Sequence, residues 1–330
     1  MFNKYLTSFS ASRFEESLDP ALRYRFTKYI MNADANSIYN AVAESAAVKR
    51  MLRHKNDMLL GDTKNPDTFY SGTIWCFAEA VERGLDKRTG FIANTAKFIA
   101  DKFQLKSGGF SFDWNPPTPI ACRTGDMVRF FLMADIDNDS VRRGIDWILK
   151  NQRHDGGWLH CPLNGICDTI KLTLFKKAGN GLSREKDTSV SSCFYASIAC
   201  AQALVLTQEP KSTALQRAAD FFLNRKLFRG RSGAPIVPKR GWNKDFRLLG
   251  YPLLCQYDIL SGLNFIADAK RINDDRTGEA FNLFMSKQRD DGSWPYESFG
   301  TGMLFPKKNE EEDLWLTLRA LSLFKKMEND

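Results

Sequence analysis

Twice in this chain a helix-forming stretch ends on the same phrase. Gln152-Arg153-His154-Asp155-Gly156-Gly157-Trp158 is echoed by Gln288-Arg289-Asp290-Asp291-Gly292-Ser293-Trp294. The stretches before them, 141–151 and 277–287, space their apolar residues as helices do: Val141, Ile145, Ile148 and Leu149 in one, Thr277, Phe281, Phe284 and Met285 in the other. Arg142, Arg143, Asp146 and Lys150 take the opposite face of the first, which therefore has one wet side. A helix exit that recurs in this form predicts a tandem array of helical hairpins. Its residue types have structural work to do. Gln satisfies helix-end backbone groups, Gly permits a left-handed exit, and Trp packs between neighbouring hairpins.

Weaker echoes extend the array. Lys106-Ser107-Gly108-Gly109-Phe110 follows a predicted helix at 87–102, Arg53-His54-Lys55-Asn56-Asp57 one at 37–52, and Gly241-Trp242 one at 214–227. Taking Met58, Phe110, Trp158, Trp242 and Trp294 as equivalent gives intervals of 52, 48, 84 and 52 residues, and the long one places an insertion at 169–188. Other stretches are apolar almost all round: Leu314 to Phe324, and 69–81 with Phe69, Ile74, Trp75, Phe77 and Val81. Such helices are buried on most sides. One-sided helices alternating with all-round apolar ones describe an outer ring around an inner ring. The inner helices fall near 37–52, 66–84, 119–134, 188–206, 247–268 and 311–326, with a short helix at 21–30 completing the outer ring. The expectation is an all-α chain forming one domain over its 330 residues.

Composition narrows the function classes. No run approaches the ~20 apolar residues of a membrane span, and the start, Met-Phe-Asn-Lys-Tyr-Leu-Thr-Ser, lacks a basic and apolar secretory pattern. Seven cysteines, an odd number, read as reduced thiols, and a cytoplasmic protein is expected. The net charge of +8 gathers between 225 and 247, where Arg225, Lys226, Arg229, Arg231, Lys239, Arg240, Lys244 and Arg247 are offset by Asp245 alone. A loop of this kind is either a solvated linker or an attractor of phosphate, nucleic acid or an anionic membrane surface. No nucleic-acid motif accompanies it, so nucleic acid is not expected as a partner; peripheral membrane contact is compatible with it.

Gln-x-x-x-Gly-x-Trp after an outer helix resembles the QW repeat of the squalene and oxidosqualene cyclases, with looser versions in protein prenyltransferase β subunits. The resemblance spans residues from about 21 to 326, with two near-complete repeats. It implies an (α/α)6 toroid, a double ring whose inner helices enclose a largely apolar cavity suited to an isoprenoid or other lipid. It also implies a D-x-D-D acid at the start of an inner helix. Here Asp135-Ile136-Asp137-Asn138-Asp139 has Asn138 in the run and precedes an outer helix, where Asp137, Asn138 or Asp139 is expected to cap.

Acids do open the predicted inner helices: Asp67, Asp168, Asp187 and the run Glu311-Glu312-Asp313. Each is an N-cap candidate. At a cavity mouth walled by aromatic rings, such a carboxyl also becomes a proton-donor candidate, and Asp168 and Asp187 stand out because they flank the insertion. Asp258 sits six residues after Pro252 in an otherwise apolar segment, too deep in the predicted helix for a cap. A buried carboxyl must be paired, hydrogen-bonded or neutral; Asp258 is either a structural salt bridge or a cavity-lining acid, with Tyr251 and Tyr257 as candidate partners. Trp75 and Cys255 join Tyr251 and Tyr257 as candidate ligand contacts.

Prenyltransferase likeness implies zinc held by Asp, Cys and His. His160, Cys161, Cys167 and Cys122 are the candidate ligands by residue type, although the family's Asp-x-Cys pair followed by a lone His is missing. Three functions follow: a cyclase-like enzyme acting on an isoprenoid through Asp258, Asp168 or Asp187; a lipid-binding toroid without chemistry; or a zinc-dependent prenyl transferase, which requires a separate α-type subunit.

Overall fold

The computed structural model describes residues 11–52, 58–112, 117–159, 191–208, 212–236, 245–251, 253, 257–297 and 310–328. Among these the ordered elements are helices, and extended pairing is limited to isolated bridges. They group into two compact units. One comprises Met1–Arg53, Glu79–Leu85 and Phe222–Asp330; the other comprises His54–Ala78 and Asp86–Phe221. The insertion predicted at 169–188, with Asp168 and Asp187, lies outside the described residues, as do His160, Cys161, Cys167 and Cys255.

In the second unit the helices are α6 (Gly90–Phe103), α7 (Ala121–Met133), α8 (Asp139–Lys150), α9 (Phe194–Val205) and α10 (Thr213–Leu223), joined by the start of α5 (Thr73–Glu82). The first unit holds α1 (Ser12–Glu15), α2 (Pro20–Arg25) with the π-helical turn Phe26–Ile30, α3 (Asn36–Ala43), α4 (Ala46–Met51), α11 (Ile259–Asp268), α12 (Gly278–Met285) and α13 (Glu310–Glu328). The all-round apolar segments are the core, as periodicity required. Leu316, Ala320, Leu321, Leu323 and Phe324 of α13 are fully buried, and Ala196, Cys200, Ala201, Ala203 and Leu204 of α9 likewise. Helices α7 and α9 touch backbone to backbone, for a Cβ on Gly125 would stand 2.5 Å from the Ala199 carbonyl carbon.

The repeated phrase turns out to be a device that ties three elements together. Gln152 Nε2 donates to the Gly156 carbonyl at 2.9 Å, closing its own loop, and to the Ala214 carbonyl at 2.8 Å, at the second residue of the next one-sided helix. Gly156 takes φ +86°. The Trp158 indole donates back to the Ile148 carbonyl of the preceding helix at 2.8 Å, and its backbone N–H goes forward to Ser197 Oγ of α9 at 3.0 Å. The Trp294 loop repeats the pattern: Gln288 to the Gly292 carbonyl at 3.1 Å, the indole to Phe284 at 3.2 Å, the backbone N–H to Thr317 Oγ1 at 3.1 Å. Both indoles are fully buried, and truncating either side chain removes a packing contribution of about 3–5 kcal/mol.

A third copy begins at Gln104, two residues before the weaker echo. Gln104 donates to the Gly108 carbonyl at 2.9 Å and to Ser140, again the second residue of the next helix, at 2.7 Å, while the Phe110 N–H meets Thr124 Oγ1 at 2.9 Å. Trp242 lies outside the described residues. A fourth copy is present at Arg229-Gly230-Arg231-Ser232-Gly233-Ala234-Pro235, where Arg229 Nη1 donates to the Gly233 carbonyl at 2.6 Å and the Arg229–Pro235 bridge matches Gln104–Phe110. Met58 is 52% exposed, unlike the buried Phe110, Trp158 and Trp294.

Several helix boundaries also differ from expectation. The 37–52 helix is broken at Glu44, where Ser45 caps a new one through the Val48 N–H at 3.4 Å. Helix 66–84 starts only at Thr73, because residues 62–72 fold into a tight turn in which Asp62 Oδ1 accepts from the Lys64 N–H at 2.8 Å. Leu149 is exposed, and the buried face of α8 runs through Val141, Gly144 and Ile148. The turn at Asp135–Asp139 behaves as expected: Asn138 caps α8 by accepting from the Val141 N–H at 3.2 Å.

Candidate functional site

Helix α11 begins at Ile259, twelve residues after the start expected for the 247–268 helix, and this moves Asp258 from helix interior to N-cap. Its Oδ1 accepts from the Ser261 N–H at 2.8 Å and the Ser261 hydroxyl at 2.9 Å, and its Oδ2 from the Gly250 N–H at 3.3 Å. Arg319, in the middle of α13, reaches both oxygens, Nη2 to Oδ1 at 2.9 Å and Nη1 to Oδ2 at 3.1 Å, and adds the Gly250 carbonyl at 2.7 Å. Asp258 is fully buried. Every one of these partners is a donor, so they favour the ionised acceptor form of the carboxyl.

Tyr251 and Tyr257 do not supply those donors. The Tyr257 hydroxyl donates to the Leu227 carbonyl at 2.7 Å, and its ring stacks on Phe222 with centroids 5.6 Å apart. Burial, reinforced by Asp258, pushes its phenol well above the usual range. Tyr251 lies flat on Trp315 at 4.5 Å, 7° from parallel, and burial raises its phenol too, with Arg83 pulling it back. Trp315 sits one turn before Arg319 on α13, and its indole donates to Asp19 Oδ2 at 3.3 Å. Asp19 is at once the N-cap of α2, accepting from Ala21 N–H at 2.9 Å, and the partner of Arg83 at 3.1 Å; Arg83 also holds Glu79 at 3.1 Å. An aromatic pair is thus set between two compensated ion pairs, all within the first unit.

The second unit has a centre of the same kind. Trp75, in the first turn of α5 and 1% exposed, donates its indole N–H to the Asp67 carbonyl at 3.0 Å. Phe69 stacks on it at 4.2 Å, Tyr70 lies at 5.9 Å, and the Arg123 guanidinium covers the ring at 4.9 Å while pairing with the Asp67 carboxylate at 2.7 Å. Phe69, Tyr70 and Asp67 are half-buried, which gives this cluster a partly open aromatic face. Asp67 is therefore a loop residue in an ion pair, not the N-cap that the 66–84 helix implied. Cys122, next to Arg123, is buried, and burial pushes its thiol up to about 12. A neutral thiol must lose its proton before it ligates a metal. No group of three or more metal-ligating side chains gathers among the described residues.

The ion-pair partners went unassigned in the sequence, yet a signal exists. Arg319 is the lone charge in the run Leu314 to Phe324, as Asp258 is in its own segment. Two opposite charges in two apolar helices have to compensate one another if both are buried.

No protein-family model matches this chain, and no curated protein does. Among solved structures the chain is similar to a protein from Actinoplanes, at 15% identity over 87% of this chain and 98% of that one, with a TM-score of 0.32. It is likewise similar to the type II terpene cyclase MstE from Scytonema in its apo form, at 12% identity over 98% of both chains, with a TM-score of 0.32. The likeness to a terpene cyclase is distant. No helix among the described residues is long and apolar enough to cross a membrane.

Proposed function

We propose that this chain is a terpene-cyclase-like α/α toroid that binds an isoprenoid or another extended lipid and does not protonate it through Asp258. The QW-type loops support the architecture, since those at Gln104, Gln152 and Gln288 each tie a one-sided helix to the apolar helix that follows, and those at Gln104 and Gln152 also reach the next one-sided helix. The observation that carries the functional reading is the pairing of Asp258 with Arg319. A carboxylate gripped through both oxygens and capped by two N–H groups and a hydroxyl is an acceptor, not a general acid. What the two centres offer instead is aromatic surface beside compensated charge: Tyr251 on Trp315, and Phe69 and Tyr70 around Trp75. Stacked rings of this kind are suited to holding an unsaturated apolar chain.

The test is native mass spectrometry of the purified chain, followed by incubation with squalene and with isoprenoid diphosphates. A co-purifying lipid recovered unaltered, and lost when Trp75→Ala and Phe69→Ala are combined, is the expected outcome. Turnover of any isoprenoid that Asp258→Asn abolishes while the fold is retained would overturn the reading in favour of an enzyme. One zinc per chain in protein purified without added metal would favour the transferase instead.

A further inference from the structure

Gly233 holds the place in its loop that Gly108 and Gly156 hold in theirs, but the space beyond it is different. A Cβ added at Gly108 would meet the Arg143 carbonyl oxygen at 2.2 Å, and one at Gly156 the Arg217 carbonyl oxygen at 2.0 Å, so in both the next one-sided helix presses onto the loop. At Gly233 nothing lies within 4 Å. A cleft of about 360 Å³ opens there, lined by Asn224, Arg225, Lys226, Arg229, Arg231 and Gly233.

Arg229 closes this loop, and Arg225 and Lys226 have no cationic counterpart at the matching positions of the other copies. Four residues before the head of the loop stand Ala100, Ile148 and Phe284 in the other three copies, and Arg225 here. Three before it stand Asp101, Leu149 and Met285, and here Lys226. Two after it stand Lys106, His154 and Asp290, and here Arg231. The head itself is Gln in the others and Arg229 here. The link to the next helix has changed with it. Gln104 and Gln152 reach a backbone carbonyl at that helix's second residue, whereas Arg229 Nε reaches the Glu279 carboxylate, the second residue of α12, at 3.1 Å, and Lys226 joins it at 3.2 Å. Where the Gln104 and Gln152 loops are pressed by the next one-sided helix, this loop leaves an open, cation-lined space.

We propose that this cleft is a binding site for a phosphate group. Guanidinium forks offer paired donors at the spacing of phosphate oxygens, and no carbonyl of the next one-sided helix approaches Gly233 as one does at Gly108 and Gly156. The site is independent of what the aromatic centres hold. The phosphate comes either free in solution or at the head of a lipid, and the experiment separates the two.

The full chain is titrated calorimetrically with inorganic pyrophosphate and inorganic phosphate at low and high salt, and floated with phosphatidylcholine vesicles with and without phosphatidic acid. The variant is Arg225→Gln with Arg231→Gln; Arg229 is left alone because it closes the loop. Pyrophosphate binding that weakens with salt and falls by about tenfold or more in the double variant, the scale of a lost charge-assisted hydrogen bond, supports a free phosphate ligand. Binding confined to phosphatidate vesicles and lost in the double variant supports a lipid headgroup. Absence of binding in both arms, or binding that the double variant leaves undiminished, overturns the proposal. Should the double variant fold poorly, as its melting curve would report, Arg231→Gln alone at the exposed turn serves in its place, with a loss of about threefold or more expected and an unchanged affinity overturning the site.

Discussion

Arg319 spans both oxygens of Asp258, at 2.9 and 3.1 Å, and thereby fixes the start of α11 to the middle of α13. The carboxylate is fully buried and the guanidinium side chain only 20% exposed. Removing one partner leaves the other charge without compensation. Arg319→Met is expected to lower unfolding free energy by about 3–5 kcal/mol, measured by urea denaturation. Adding Asp258→Asn to it should restore part of that loss, because Asn keeps an N-cap acceptor and carries no charge. A double variant as unstable as Arg319→Met alone would show that the pair is not the source.

The three glutamine heads are not equal. Gln152 donates to two carbonyls and Gln288 to one. At about 0.5–1.5 kcal/mol per hydrogen bond, Gln152→Ala should destabilise roughly twice as much as Gln288→Ala. Equal losses in matched denaturation curves would contradict the three-way tie described for the Gln152 loop.

Gly156 and Gly233 share a left-handed backbone, φ +86° and +78°. Alanine at either pays about 1–2 kcal/mol for that conformation. Only at Gly156 does the new methyl also meet a carbonyl oxygen at 2.0 Å. Gly156→Ala should therefore reduce the melting temperature far more than Gly233→Ala, and comparable shifts would sink the contrast between the packed loop and the open one.

Burial pushes the Cys122 thiol up to about 12 and the Cys200 thiol well above its ordinary range. Both should resist alkylation at pH 8 in the folded chain and react once it is unfolded in urea, read by peptide mapping. The pH dependence has a definite sign. An unfolded thiol releases its proton near pH 9 while the folded one keeps it, so this contribution to stability is complete below pH 9 and is lost as pH rises toward 12. Cys122→Ala should flatten that part of the stability profile.

Periodicity was enough to find the core helices, because burial on all sides leaves no polar stripe and Leu314 to Phe324 or Ala196 to Leu204 have none to show. It misjudged where they begin. Phe69 and Leu253 prolong the apolar pattern backward, yet the helices start only at Thr73 and Ile259, because apolar residues alone do not fix where a helix begins. That error placed Asp258 inside a helix and Asp67 at the start of one. The loop at Arg229 escaped notice for a different reason. A search for Trp finds Trp242, whereas the backbone needs only a donor at the head, a glycine at φ > 0 and a residue to bridge, and here these are Arg229, Gly233 and Pro235.

The tie made by each loop also decides where this chain can be cut and rejoined. A break between Trp294 and Thr317 would part a buried N–H from its hydroxyl, and one between Gln152 and Ala214 would part a side-chain amide from its carbonyl. A helical hairpin lifted out alone thus leaves unmet donors at both seams. Duplication, deletion or transplantation in a chain of this construction has to proceed by segments that carry the head residue, its glycine, the Ser or Thr of the following core helix and the opening of the next outer one. The natural building block is therefore longer than the pair of helices that the eye picks out.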